Sequence, residues 1–309
     1  MPAPTRCAAL RRPPSSLPYP TAPFVPRLLG AAARTRNDGA PDMSTIGFVG
    51  PGQMGMPMVE RLVTAGHSVV VHARREEVRE HLDELGARAV ADPREVADGA
   101  DLVLICLFSD PQLQEVAPSL IDAARKGSII ASHVTGSIAT IQELAERGRS
   151  RGIDVLDAPV SGTDTKIRAG ELTVMLGGDS DAVAAATGPI SAYSNPVLPT
   201  GPLGSALKMK LVNNLLFAAN VQLVAEAAAL GESLGLETST LLTTLGHCSG
   251  GSAASSYASA AGDIATFGAG IAHYLGKDVA VCQQVAAELG ANPELLLSVV
   301  DRGPLPLTS

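Results

Sequence analysis

Apolar residues follow one pattern along the chain before Gly204 and another after it. Before Gly204, short apolar runs are separated by stretches with apolar residues at helical spacing, so strands and helices alternate for about 140 residues. This alternation predicts an α/β domain with a doubly wound parallel sheet. The apolar runs predict strands at 45–49, 68–72, 89–90, 102–107, 128–133, 155–158 and 172–176.

After Gly204 the pattern predicts helices only, at 205–235, 238–245, 252–261, 271–289 and 293–300. The first helix is apolar on more than one face, which is typical of a helix buried in a domain core or against another subunit. Residues 249–262 are rich in Gly, Ala and Ser, and a flexible connector is the alternative to a helix there. We expect a sheet domain at 43–204 and an all-helical domain at 205–309.

A glycine-rich turn follows the first predicted strand and precedes a helix. This context and the Gly-x-Gly-x-x-Gly spacing predict a Rossmann dinucleotide-binding loop, whose backbone approaches a pyrophosphate at the helix N-terminus. A purely structural turn is the alternative. The residues assigned to the cofactor are Gly50, Pro51, Gly52, Gln53, Met54 and Gly55.

The end of the second predicted strand indicates which cofactor binds. NAD-binding proteins place an acidic residue there, about 20 residues beyond the glycines, on the ribose 2′-hydroxyl. This chain has Ala73 at that position, followed by Arg74 and Arg75. Two guanidinium groups suit a 2′-phosphate, so we predict NADP(H), with NAD(H) as the less favoured cofactor. The alternative is that both arginines are a solvated start to the next helix.

Composition and charge narrow the function classes. The 309 residues are 46% hydrophobic and 17% charged, which is typical of a soluble protein, and no apolar run approaches the length of a membrane span. The net charge of −8 argues against nucleic acid as a partner. Cys7, Cys106, Cys248 and Cys282 are scattered, so we expect free thiols in the reducing cytoplasm. Cysteines and histidines do not cluster at ligand spacing, so no metal is expected.

The first 42 residues differ from the rest of the chain. They contain nine of the 22 prolines, six arginines and two acidic residues. Three interpretations are open: an organellar transit peptide, a disordered tail, or a start codon assigned upstream of Met43. We favour the last, because Met43 directly precedes the first strand and the segment lacks both an amphipathic helix and an unbroken apolar run.

Three loops and one helix face are the predicted site. Parallel sheets bind ligands at the carboxyl ends of their strands, so the loops after Leu107, His133 and Ala158 are candidates. On the first C-terminal helix, Lys210 and Asn214 lie one turn apart on the same face. A lysine on an apolar helix is costly to bury unless it is used, and desolvation lowers its pKa toward the range useful for proton transfer to an alkoxide. A lysine that reaches solvent is the alternative.

These motifs together resemble the β-hydroxyacid dehydrogenase family. The resemblance extends from about residue 45 to about residue 281, and it implies hydride transfer between a nicotinamide and the hydroxyl- or carbonyl-bearing carbon of a small anionic hydroxy acid or semialdehyde. The strings that carry it are the glycine loop, Asp-Ala-Pro-Val-Ser-Gly at 157–162, the glycines at 177, 178 and 204, Lys-Leu-Val-Asn-Asn at 210–214, and Lys-Asp at 277–278.

The resemblance also implies roles for individual residues. Lys210 is expected to be the general acid/base, and Asn214 to orient both the substrate and Lys210. Ser161 and the backbone N–H of Gly162, with Thr163 beside them, are expected to bind the substrate carboxylate. Thr135 and Lys277 match family positions that contact the cofactor, and Leu107, at the end of the fourth predicted strand, is a further cofactor contact expected besides the glycine loop, Ala73, Arg74 and Arg75.

The chain also departs from the family pattern. Thr163 and Ala206 replace glycines, and residues 132–135 read Ser-His-Val-Thr where the family commonly has Asp-x-Ser-Thr. These changes bear on substrate identity more than on catalysis, because Lys210 is present. The chain ends at Ser309, where family members usually add a helix, so we expect exposed apolar surface and reduced stability.

Two other functions stay open: a cofactor-binding protein of the same fold with little catalysis, and an imine reductase-like enzyme. Lys210 favours the dehydrogenase, because such relatives tend to lack that lysine. The widely spread apolar positions after residue 205 predict a homodimer or homotetramer built through the helical domain, with the nucleotide domains outermost.

Overall fold

The computed structural model describes residues 44–307, which belong to one compact unit. The interpretations of the first 42 residues, and Cys7 with them, lie outside the described residues.

Within the described residues, nine strands form one mostly parallel sheet in the order β3-β2-β1-β4-β5-β6-β8-β7, with β9 paired to β8. Strands β1 to β6 are mutually parallel, whereas β8 runs antiparallel to β6 and β7. The strands are β1 Thr45–Val49, β2 Ser68–His72, β3 Arg88–Val90, β4 Leu102–Ile105, β5 Ile129–Ser132, β6 Asp154–Asp157, β7 Val160–Ser161, β8 Leu172–Gly177 and β9 Ser194–Gly201.

Helices cover both faces of the sheet and make up the region after Gly204. Helix α8, with 29 residues, is the longest of those described. The helices between residues 44 and 307 are α1 Gly55–Thr64, α2 Glu76–Glu84, α3 Arg94–Ala97, α4 Asp110–Ala123, α5 Ile138–Arg149, α6 Asp164–Ala169, α7 Ser180–Ile190, α8 Ser205–Ser233, α9 Thr238–Leu245, α10 Ala253–Ala261, α11 Ile264–Glu288 and α12 Glu294–Arg302.

Successive strand residues enter different apolar cores, as the two-residue period of a strand requires. Leu102 and Leu104 join the core under α1, α2, α6 and α7. Val103 and Ile105 join the core under α3, α4 and α5. That second core continues without a break into α8 and α11, where Leu211 is one of its members. The sheet and the C-terminal helices therefore share one apolar interior.

The predicted fold class is confirmed, with corrections to individual elements. Strands β7 and β9 were not predicted, because β7 has two residues and β9 carries Pro196 and Pro199. Proline removes a ladder donor and is tolerated at an edge, and β9 pairs only with β8 among the described strands. Residues 249–262 contain α10, so the flexible connector is wrong there. Helix α11 begins at Ile264, seven residues before the predicted start.

The last described residues pack back onto the helical region. The side-chain amide of Gln222, buried in α8, donates to the carbonyls of Val300 and Leu305, at 3.0 and 2.7 Å, and its oxygen accepts the N–H of Leu305 at 2.9 Å. Leu307 is 3% exposed and belongs to the core. The last described residues are therefore held against α8, and Leu307 adds to the apolar core of the helical region.

Helix α8 carries one solvent-facing apolar stripe along its length. Its members are 49–68% exposed and recur at intervals of three, four or seven residues, which places them on one helix face. By length and composition α8 could cross a membrane, so the prediction that no apolar run has that length is wrong. More than half of its apolar window is buried in the protein, as in a core helix. The stripe consists of Met209, Val212, Leu216, Leu223 and Leu230 of α8, and of Leu234 directly after its last residue.

Candidate active site

A cavity of about 830 Å³ lies between the carboxyl ends of the β-strands and helices α8, α10 and α11. The loops after β4 and β5 contribute to its wall, and beyond β6 the wall is formed by β7 and the turn that follows it. The predicted site residues that line it are Gly50, Gly52, Gln53, Met54, Gly55, Leu107, Thr135, Ser161, Gly162, Thr163, Lys210, Asn214 and Lys277. Among the described residues, Pro51, Ala73, Arg74 and Arg75 were predicted for the site but do not line this cavity.

The glycine loop has the shape that a pyrophosphate needs. Gly50 has a φ of +96°, and a Cβ there would collide with the carbonyl oxygen of Cys106. A Cβ on Gly52 would meet no atom within 4 Å, because the space beside it is the cavity. Helix α1 starts at Gly55 with no capping side chain and no acidic residue in its first turn. A dinucleotide phosphate can therefore approach both the backbone and the positive end of the helix dipole.

The turn after β2 lies beside the glycine loop, since Val49 and His72 are paired across β1 and β2. Ala73 is buried, and Arg74 and Arg75 are exposed. One guanidinium nitrogen of Arg79 donates to the carbonyls of Ala73 and Arg74, both at 3.0 Å. Arg79 therefore fixes the backbone of this turn, while the side chain of Arg74 stays accessible outside the cavity.

Asp157, at the end of β6, holds the start of α8. Its carboxylate is fully buried and accepts the N–H groups of Gly204 and Leu207, both at 2.8 Å. Burial raises the pKa of Asp157, and these backbone hydrogen bonds oppose the rise. A Cβ on Gly177 would collide with this carboxylate, which explains a glycine at that position. The sheet thereby fixes the position of the helix that carries Lys210.

Lys210 and Asn214 face the cavity from α8, next to Asp278 and Lys277 of α11. Burial lowers the pKa of Lys210, the carboxylate of Asp278 opposes this shift, and the ammonium of Lys277 adds to it. The side chain of Asn214 donates to Asp278 and accepts from Asn213 at 3.0 Å. These two residues thus orient the side chain of Asn214. The resemblance had implied that Asn214 itself orients Lys210.

Lys277 joins α11 to two loops of the sheet. Its ammonium forms an ion pair with Asp278 at 3.0 Å and donates to the carbonyl of Phe108 at 3.2 Å. A longer contact of 3.5 Å reaches the carbonyl of Thr135, and the ammonium lies 5.0 Å from the centre of the Phe108 ring. The loops after β4 and β5 are therefore tied to α11 at the cavity.

His133 connects the loop after β5 to the short link between β6 and β7, which precedes Ser161. Its Nδ1 bonds to the carbonyl of Ala158, and its Nε2 lies 2.9 Å from the hydroxyl of the buried Tyr193. Burial lowers the pKa of His133 to about 4, so the ring is neutral at pH 7. In that state Nδ1–H donates to Ala158, and Nε2 accepts from Tyr193.

Further residues line the cavity without having been predicted. Most are apolar, and the sequence offers no local signal that separates such residues from core residues. Phe108 directly follows the predicted strand at 102–107 and Asp278 belongs to the Lys-Asp string, so the sequence held a signal for these two residues. The unpredicted residues are Cys106, Phe108, His133, Val160, Asp164, Asn213, Phe217, Ala253, Tyr257, Phe267, Ile271, Tyr274, Leu275 and Asp278.

Comparison with known families accounts for nearly all of the described residues. A family model described as the NAD binding domain of 6-phosphogluconate dehydrogenase matches residues 45–201. A second, described as the NAD-binding domain of NADP-dependent 3-hydroxyisobutyrate dehydrogenase, matches residues 204–301. The chain belongs to the β-hydroxyacid dehydrogenase family. As a member of this family it is an NAD(P)-binding oxidoreductase of the class that acts on hydroxyl groups.

Individual members of the β-hydroxyacid dehydrogenase family are moderately similar to this chain. An uncharacterized oxidoreductase of Mycobacterium tuberculosis is 34% identical over 67% of this chain and 71% of its own length. The mitochondrial 3-hydroxyisobutyrate dehydrogenase of Mus musculus is 31% identical over 72% of this chain and 68% of its own length. The solved structure of Mycobacterium tuberculosis 3-hydroxyisobutyrate dehydrogenase with L-serine has a TM-score of 0.75 and 26% identity, over 84% of this chain and 92% of that one.

The residues between 44 and 307 contain no group of three or more His, Cys, Asp or Glu side chains that could hold a metal ion. Asp278 and Lys277 are the charged groups that act on the pKa of Lys210, and both are hydrogen-bonded to other protein groups.

Proposed function

We propose that this chain is an NADP(H)-dependent dehydrogenase that interconverts a small β-hydroxy acid and its semialdehyde or keto form. The observation that carries the proposal is the placement of Lys210, a lysine of lowered pKa, in one cavity with the glycine loop and the Ser161–Gly162 turn. A nicotinamide cofactor bound at that loop supplies the hydride acceptor or donor.

Lys210 exchanges the proton with the substrate, and the other residues of the site position the substrate. In the oxidation, neutral Lys210 would take the hydroxyl proton, and a nicotinamide held at the glycine loop would accept the hydride from the same carbon, so that the C–O single bond would become a carbonyl. In the reduction, the ammonium of Lys210 returns the proton to the developing alkoxide. The Ser161 hydroxyl and the Gly162 N–H donate to the substrate carboxylate, and Asn214 orients the reacting oxygen with its second amide hydrogen.

Two other functions stay open. An imine reductase-like enzyme and a cofactor-binding protein with little catalysis would both use the same glycine loop, and fold alone does not separate them from a dehydrogenase. Lys210 is the discriminating residue, because neither alternative needs a lysine beside the reacting oxygen.

The proposal is tested by incubating the purified chain with NADP⁺ and a panel of small 3-hydroxy acids, following nicotinamide absorbance. Turnover of at least one acid supports it. Turnover of cyclic imines with NADPH, with no activity toward any hydroxy acid or semialdehyde, would favour the imine reductase.

The cofactor preference is proposed from Ala73, which offers no carboxylate to a ribose, and from the accessible Arg74. We expect NADPH to bind at least about tenfold tighter than NADH, a difference of about 1.4 kcal/mol. Arg74→Ala should weaken NADPH selectively, because NADH has no 2′-phosphate for the guanidinium to bind. Fluorescence titration with both cofactors measures this. Arg149→Ala, at an exposed arginine near the end of α5, is the control, and equal affinities in the wild type would contradict the preference.

The assembly is proposed to be a homodimer or homotetramer built through the α8 stripe, with the nucleotide-binding regions outermost. A two-fold axis lets one apolar stripe cover its own copy. We expect light scattering at micromolar concentration to give at least twice the mass of the chain. A Leu216→Glu and Leu223→Glu double variant should reduce this to the monomer mass. Leu295→Glu, at a 77% exposed residue of α12, is the control; a folded wild-type monomer would end the proposal.

A cytoplasmic location is also proposed. The described cysteines, Cys106, Cys248 and Cys282, are free thiols, which supports a reducing compartment.

A further inference from the structure

The cavity continues past Lys210 and Asn214 toward a third residue of α8. Lys210, Asn214 and Phe217 occupy positions i, i+4 and i+7, so they share one helix face, and all three line the cavity. Phe217 therefore lies about 10 Å farther along the helix axis than Lys210. The start of α8 is held against the sheet by Asp157, so Phe217 lies farther along α8 from the sheet than Lys210 does.

The surroundings of Phe217 are apolar. Its ring meets the ring of Tyr257 edge to face, with centroids 6.0 Å apart. Tyr257 is the one large side chain of α10, which otherwise consists of Ala and Ser between residues 253 and 261. Phe267 and Ile271 of α11 also line the cavity. We call Phe217, Tyr257, Phe267 and Ile271 the apolar end of the cavity.

A three-carbon hydroxy acid does not use this apolar end. With its carboxylate at Ser161 and Gly162 and its hydroxyl at Lys210, such a molecule spans about 5 Å, roughly four bonds. The apolar end would then stay in contact with water. A polar substituent placed there would lose its own water, and the Tyr257 hydroxyl is the one polar group that these four side chains offer it. An apolar substituent would be removed from water, and an aromatic ring would match the edge-to-face geometry of Phe217 and Tyr257.

We infer that the substrate is a β-hydroxy acid with an apolar substituent larger than methyl, up to the size of a phenyl ring, and that Phe217 and Tyr257 select it. This inference rests on the proposed dehydrogenase function.

The test compares kcat/KM for 3-hydroxypropionates that carry hydrogen, methyl, propyl or benzyl at C2, with a second series substituted at C3. In at least one series, kcat/KM should rise about threefold per added methylene, and the benzyl or phenyl member should be among the best substrates. Phe217→Ala and Tyr257→Ala should each lower the benzyl-to-methyl ratio at least about tenfold. Tyr257→Phe should keep the ratio, because the ring and not the hydroxyl makes the contact. Leu295→Ala is the external control.

The outcomes separate this inference from the proposed function. Turnover of the methyl compound with flat or falling kcat/KM for larger members in both series overturns the inference and leaves the dehydrogenase in place. Failure to turn over any member, with either cofactor, overturns the dehydrogenase and the inference with it. If Phe217→Ala changes the oligomer mass and leaves the benzyl-to-methyl ratio unchanged, a second copy of the chain fills the apolar end, and the inference is wrong.

Discussion

Lys210→Ala is expected to lower kcat at least about 100-fold, which is the usual contribution of a positioned proton donor. Lys210 lines the cavity, and burial lowers its pKa toward the range useful for proton transfer to an alkoxide. The affinity for NADPH should change little, because the proposed cofactor contacts lie in the glycine loop and not at Lys210. Stopped-flow turnover and fluorescence titration of the same variant measure the two quantities.

The control for this variant is Lys208→Ala. Lys208 is exposed two residues earlier on α8 and points away from the cavity lining. A near-normal kcat in Lys210→Ala would show that another group is the proton donor. A 100-fold loss of kcat in Lys208→Ala instead would identify Lys208 as that group.

The pH dependence of the wild type offers an independent check on Lys210. Oxidation needs neutral Lys210, so kcat for the hydroxy acid should rise with pH and level off once the pH passes the lysine pKa. Because burial lowers that pKa, the midpoint should fall below the usual value of about 10.4 for a lysine.

Asp157→Ala is expected to lower the free energy of unfolding by about 2–3 kcal/mol, since two backbone N–H groups at the start of α8 would be left buried without an acceptor. The same change should reduce kcat in the molecules that remain folded, because the start of α8 sets the position of Lys210. Urea unfolding followed by circular dichroism measures the first effect. Asp154→Ala, at the exposed first residue of β6, is the matched control.

The Asp157 effect should depend on pH in a defined direction. Burial raises the pKa of Asp157 above that of the unfolded chain, so the folded state binds more protons between the two values. The ionisation of Asp157 therefore contributes most to the free energy of unfolding below the pKa of the unfolded chain. Part of that contribution is lost as the pH rises through the pKa of the folded state. The stability gap between the wild type and Asp157→Ala should narrow over that interval; a gap that widens would contradict the raised pKa.

Much of the sheet could be predicted from the sequence because its central strands are apolar on both faces. Leu102–Ile105 is an uninterrupted apolar run, and all four residues are buried. Strand β9 could not be predicted, because two prolines remove backbone donors and only its partner β8 makes it a strand. Local periodicity carries no information about such a partner.

Site residues could be predicted from the sequence where the backbone or the surroundings require a particular residue type. Gly50 must be a glycine for steric reasons, Gly52 leaves the space open that a pyrophosphate would occupy, and Lys210 is conspicuous on an apolar helix. The links made by His133, Asp157 and Asp278 join residues more than 20 positions apart, so their spacing in the sequence gives no sign of them. The apolar end of the cavity has the same composition as the core, and only the folded chain distinguishes the two.

The single apolar interior that runs from the sheet into α8 and α11 has a consequence for recombination between relatives. A chimera that joins residues 45–201 of this chain to the helical half of another family member would have to reproduce a packed core across the junction. It would also need backbone N–H groups placed to meet the carboxylate of Asp157. The two halves are thus not exchangeable modules, and substrate preference is better altered by point changes around Phe217 than by swapping the helical half.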